Sequence, residues 1–214
     1  MKKQLLIFLV VGMCLLQKGV SQNNIRIGAT TGATLSKYRG NDIIEKSDAG
    51  IGFSVGMSFA YAFNENWALQ TNVNYARKQF SQTVKAFVLF DFEEETIDIK
   101  THYDYLELPV LVKYNLGSSK RFFVNGGPFL AYLLAAKSKT ENFPSTDISE
   151  THNKLDLGLS LGVGATFHLN SKQDLSIELR DNLGLLNISK TEVYNDGTIK
   201  TNSLNLIVTW SIAM

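Results

Sequence analysis

Cysteine is almost missing from this chain. Of 214 residues only Cys14 is a cysteine, and it lies inside the apolar run 5–16. Lys2 and Lys3 precede that run, and Gly19 and Ser21 put small residues before a cut at Gln22. This is the layout of a secretory signal peptide, with an apolar run too short to span a bilayer. The expected division is a signal over 1–21 and one domain over 22–214. Met13, Leu15 and Leu16 around Cys14 do not suit lipid attachment. Once the signal is removed no cysteine remains, which excludes disulfides and thiol chemistry.

An excess of charge is also missing. The formal net charge is +1, and loss of Lys2, Lys3 and Lys18 brings it to −2. Scattered basic residues in a near-neutral chain argue against a nucleic-acid partner. After residue 22 no apolar stretch reaches the roughly eighteen residues of a membrane helix. No segment there shows a helical period either. If this chain lies in a membrane, it crosses as strands.

What the sequence does have is alternation. In the stretch KLDLGLSLGVGATFHL, 154–169, every second residue from Leu155 to Leu169 is apolar, and the residues between are mostly Gly, Ser and Thr. A period of two is a β-strand with two unlike faces. The pattern recurs over 25–35, 50–63, 67–78, 106–114, 122–134, 175–188 and 204–212, eight strands in all. Three connections are short and polar (64–66, 115–120 and 170–173), and four are long (37–49, 81–101, 138–153 and 189–201). Long and short alternate strictly, as in small outer-membrane barrels with tight periplasmic turns and longer external loops.

Volume decides which face points inward. Roughly forty large apolar side chains lie on the greasy faces, against on the order of a dozen that an eight-stranded barrel holds. A soluble sandwich would instead expose Gly52, Ser54, Gly56, Ser58, Ala60 and Ala62 to water, where charged residues are the rule. The greasy faces therefore meet lipid, and small residues such as Gly158, Ser160, Gly162 and Gly164 line a narrow lumen. Tyr61, Phe63, Trp67, Tyr114, Phe122, Phe167 and Trp210 fall near the short turns as an aromatic girdle, with Tyr38, Tyr75, Tyr103 and Tyr132 toward the long loops. The expected fold is all-β, an eight-stranded antiparallel transmembrane up-and-down β-barrel in the outer membrane of a Gram-negative bacterium.

The stretch YLELPVLVKY, from Tyr105 to Tyr114, resembles a hallmark of the Bacteroidetes outer-membrane β-barrel family, often called PorT-like or porin-family. GGPFLAYLL from Gly126, DLGLSLGVGATF from Asp156 and ELRDNLGLLNI from Glu178 are similar to further segments of that family. The resemblance covers essentially the whole mature chain and implies an eight-stranded barrel, while its members differ in function. Two departures stand out. Asp181 occupies a position where the family usually carries an aromatic residue, and it would fall on the lipid face. The chain ends WSIAM rather than on an aromatic residue, so assembly signalling is expected through Trp210.

Few residues could carry chemistry. Glu107, Lys113, Glu178 and Arg180 point inward on this register and are expected to form a lumen charge network, because buried charges persist as pairs. The same network could serve as a gate. Pro109, Gly126, Gly127 and Pro128 are expected to meet in a β-bulge, since a proline breaks the ladder of a closed barrel. A rim metal site from His102, His152 and Asp156 lacks a firm third ligand type, and His168 lies near a short turn. FEEETID, 92–98, reads as a solvated acidic segment. No nucleophile, base and orienter are spaced for catalysis. Catalytic, cofactor-binding and metal residues are thus expected to be none.

The leading expectation is a small integral, non-enzymatic outer-membrane protein. Its partners would be outer-membrane lipid and proteins met by the long external loops, and it would be a monomer. A narrow porin gated by the lumen charges is the alternative. A secretion-machinery component and an outer-rim, lipid-directed enzyme stand behind it.

Overall fold

A computed structural model describes residues 24–40, 48–87, 94–140, 144–191 and 197–214, with the backbone alone over 82–87 and 94–98. The expected signal segment lies outside the described residues, as do residues 92 and 93 of the acidic run. Eight long strands carry the fold: β1 Ile25–Arg39, β2 Asp48–Ala62, β3 Trp67–Phe87, β4 Glu94–Leu116, β5 Phe122–Thr140, β6 Leu155–His168, β7 Gln173–Gly184 and β8 Lys200–Ala213. Each pairs antiparallel with its sequence neighbour, β8 returns to β1, and β4–β5 pairing completes the ring. The two-residue strand Thr146–Asp147 extends the long-loop end of β5. This is the closed eight-stranded antiparallel barrel expected from the alternation.

Alternation in sequence becomes alternation in exposure. Along β6, Leu155, Leu157, Leu159, Leu161 and Val163 face out, and the residues between are buried or half-buried. Ile51 and Leu161 are 72% and 70% exposed, so the apolar residues cover the outside of the barrel. The inward glycines of β6 do more than narrow a lumen. A side chain at Gly158 would strike the Phe129 ring, and one at Gly164 the Phe123 ring. One at Gly162 would strike Asn125 and Glu178. Each glycine leaves room for a large group from a neighbouring strand.

Two of the short turns rest on the same device. The Asn64 side-chain oxygen accepts from the backbone N–H of Asn66 and Trp67, both at 2.9 Å. Asn170 accepts from Lys172 and Gln173 in the same way, also at 2.9 Å. An asparagine that satisfies the backbone two and three residues on closes a tight turn. The third turn uses positive φ at Gly117 and Lys120.

Three expectations change. Most of the expected loop 81–101 is strand, because β3 and β4 continue pairing from Ser81↔Lys100 to Phe87↔Glu94. This arm overhangs β2, whose pairing with β3 ends at Asp48↔Ser81. β7 ends at Gly184 rather than near residue 188, since Ile188 is fully buried beneath the long-loop end. The bulge expected at Pro109, Gly126, Gly127 and Pro128 is instead a pause in the ladder. Pro109↔Phe129 and Val112↔Gly126 share one register, so no residue is inserted between them. A proline without an N–H removes a rung and leaves the alignment intact. The register irregularity on this pair of strands lies at Asp104/Tyr105, and a second lies at Ala49/Phe53 on β2–β3.

Candidate functional site

The lumen is built in three layers, and the middle one holds two buried ion pairs. Lys78 Nζ sits 2.9 Å from Glu107 Oε1, with the Tyr105 and Phe129 rings 5.0 and 5.5 Å from the ammonium. Arg180 Nε donates to Glu178 Oε1 at 2.6 Å. Asn125 donates to that same oxygen at 2.9 Å, and Gln70 donates to Oε2 at 3.3 Å. The four residues expected as one network therefore divide. Glu107 belongs to Lys78, Glu178 belongs to Arg180, and Lys113 joins neither pair. The Lys113 ammonium instead lies 3.7 Å over the Phe123 ring.

Sequence reasoning missed Lys78, although its signal was present. It continues the even-numbered row Gln70, Asn72, Asn74 and Ala76, all of them inward and buried. Asp156, weighed for a metal site at the rim, is an interior residue. It is fully buried, and Thr201 donates to its Oδ2 at 2.6 Å. The three residues weighed as a metal site are not brought together. His102 lies beside Arg77, Asp104 and Lys137 on the outward face, whereas its neighbour Tyr103 is buried inside with His152.

The long-loop end of the lumen is filled by an aromatic plug. Tyr38 stacks on Phe80 with centroids 3.9 Å apart, and Tyr103 meets both edge-on. Tyr38 and Tyr103, expected in an outer belt, are interior residues. Phe129, Leu133 and Ile188 complete the packing. A hydrogen-bonded chain runs through the plug: Tyr38 O–H donates to Tyr103 at 2.8 Å, and the Tyr103 hydroxyl lies 2.8 Å from His152 Nε2. His152 Nδ1 lies 2.9 Å from the Ile148 carbonyl. A carbonyl only accepts, so Nδ1 carries the proton and Nε2 receives the Tyr103 hydroxyl. Burial pushes His152 below its ordinary value; the Ile148 carbonyl opposes the shift and Lys190 adds to it.

Two loop segments are zipped together over this plug. Asn153 N donates to Ile188 O at 2.8 Å, Lys190 N to Thr151 O at 3.0 Å, and Ile188 N to Ile199 O at 2.8 Å. Asn153 Nδ2 reaches both Asn187 O and Ser189 O. These bonds tie residues 151–153 to residues 187–190.

The short-turn end is different. A cavity of about 330 Å³ opens there, with Arg26, Gln70, Lys113, Phe123, Asp174 and Glu178 among its lining residues. Arg26 pairs with Asp174, and His168 Nδ1 lies 2.7 Å from the same carboxylate. Around the outside of this end stand Tyr61, Phe63, Trp67, Tyr114, Phe122, Phe167 and Trp210 in the positions expected of a girdle. Phe63, Trp67, Phe122, Phe167 and Trp210 are exposed, and Trp67 packs on Tyr114 at 4.6 Å.

A closed barrel with an apolar outside, a charged and hydrogen-bonded inside and aromatic residues at one rim is a membrane-spanning β-barrel. The family model described as outer membrane protein beta-barrel domain matches residues 20–190, and the chain belongs to that family. It therefore resides in the outer membrane of a Gram-negative cell. Among solved structures it is similar to the Neisserial surface protein A, with 16% identity over 92% of this chain and 100% of that one and a TM-score of 0.49. Ail of Yersinia pestis shares 14% identity over 88% of this chain and 99% of that one, with a TM-score of 0.43. OprG of Pseudomonas aeruginosa shares 15% identity over 88% and 95%, with a TM-score of 0.42. No curated protein matches the chain.

Proposed function

We propose that this chain is a non-conducting, non-enzymatic outer-membrane barrel, monomeric in the bilayer, that acts through its external loops on protein partners. The observation that carries this reading is the filled long-loop half of the lumen. Tyr38, Phe80, Tyr103 and Phe129 occupy its cross-section, and the zipped loop segments cover them. A small barrel whose interior is packed with its own side chains transmits no solute, while its rigid wall presents the loops to the outside. The stretch YLELPVLVKY supports assignment to the PorT-like group of Bacteroidetes barrels, and within it Glu107 holds the buried ammonium of Lys78.

Planar-bilayer conductance of the refolded barrel tests the reading. Wild type and Arg180→Ala are both expected to be silent, because the aromatic plug lies apart from the Glu178–Arg180 pair. Discrete wild-type openings, altered by Arg180→Ala, would establish the gated pore instead.

A further inference from the structure

Lys113 is a lumen cation that makes no salt bridge or hydrogen bond with the described residues. Charges along the short-turn cavity otherwise cancel in pairs: Arg26 with Asp174, and Arg180, just behind the wall, with Glu178. At the rim, Lys120 donates to Asn66 at 2.8 Å, and Glu65 stands nearby on the lining. That leaves the Lys113 ammonium with an aromatic face and no hydrogen-bond acceptor among the described residues. An ammonium carries three N–H donors, and a ring face occupies none of them in the way an oxygen does. The cavity beside it holds about 330 Å³, within the lower range of small-ligand sites.

The geometry points to a binding site for a compact carboxylate entering from the periplasm, with Lys113 as its anchor. Two features choose a carboxylate over a more highly charged anion. Of the cations on the lining only Lys113 has neither an ion pair nor a hydrogen bond, so one singly charged group is enough to meet it. Asp174, Glu178 and Glu65 line the same space and would repel a second one. The walls add neutral partners: Ser58, Ser176, Ser211 and Thr209 bring hydroxyls that can meet amide groups next to the carboxylate. The chemistry is shared by a free small carboxylate and by the carboxyl end of a peptide chain.

The test uses the refolded full barrel in micelles, titrated calorimetrically with N-acetyl-alanyl-alanine, acetate and inorganic phosphate in separate runs. Saturable binding of the dipeptide is expected, weakened by about tenfold or more in Lys113→Gln and largely retained in Lys113→Arg. Dipeptide binding tighter than acetate assigns the site to a chain end, and equal binding assigns it to a free carboxylate. Three results would overturn the proposal: no saturable binding of either carboxylate, Lys113→Gln binding as well as wild type, or phosphate binding as tightly as the carboxylates. Melting temperatures of the three proteins without ligand separate lost binding from lost folding.

Discussion

The two ends of the lumen are made from the same strands yet solve opposite problems. At the long-loop end, rings and aliphatic side chains exclude water, and the Tyr38 hydroxyl, the Tyr103 hydroxyl and the His152 ring bond in a chain. At the short-turn end, a cavity opens and the walls carry hydroxyls and charges. The same residue type, phenylalanine, serves both: Phe129 is packed into the plug, and Phe123 forms the wall beside Lys113. The contrast shows that a barrel of fixed strand number can be dry in one half and wet in the other. The division follows from which residues stand at the inward positions, since wall geometry is common to both.

The contrast predicts unequal costs for equal truncations. Phe129→Ala should destabilise the refolded barrel by about 3–5 kcal/mol in urea unfolding, because the hole stays dry. Phe123→Ala should cost at least about 1 kcal/mol less, because the cavity beside it lets water into the gap. Equal losses would break the comparison. Tyr103→Phe is the next largest. It removes the acceptor of the Tyr38 hydroxyl and the donor to His152, leaving two buried groups unsatisfied, for a loss of about 1–3 kcal/mol. A variant as stable as wild type would mean that water reaches the plug.

The smallest effect is a pH dependence confined to the long-loop end. His152 titrates below its ordinary 6.5 when folded, so it is neutral in both states above that value. As pH falls below 6.5, the unfolded chain binds a proton that the folded one resists, and stability is lost. Comparing wild type with His152→Gln across this range isolates the contribution. The wild type should lose more stability on acidification than the variant. Parallel curves would show that the histidine is not shielded.

Most of the architecture was legible because a lipid-facing barrel writes its two faces directly into the sequence. The strand count, the pairing of neighbours and the outward placement of Trp67, Phe122 and Trp210 all follow from alternation and turn spacing. The overhanging β3–β4 arm was not legible, since its strands are held by each other's backbone and carry no continuous apolar face for alternation to mark. The charge network was half legible. Parity placed Glu107, Lys113, Glu178 and Arg180 inside, but pairing depends on height along the barrel and on which strand stands across the lumen. That is why Lys78, twenty-nine residues from Glu107 in sequence, was missed and Lys113 was given a partner it does not have. The ladder pause at Pro109 and Pro128 was foreseen as a disturbance and mistaken for an insertion, because the sequence marks the missing N–H and not the alignment beyond it.

Seven of the eight seams in this wall join strands that follow one another along the chain. The eighth, from Arg26↔Ala213 to Arg39↔Lys200, joins the two most distant ones. A local hairpin closes quickly at small entropic cost, whereas a contact across the full chain waits for everything between to arrive. Closure of the wall is therefore a late event. Until it happens, β1 and β8 each present an unpaired edge, a row of unsatisfied backbone groups that no bilayer interior tolerates. The growing sheet must be sheltered until its last strand docks, so the arrival of β8 sets the clock for entry into the membrane.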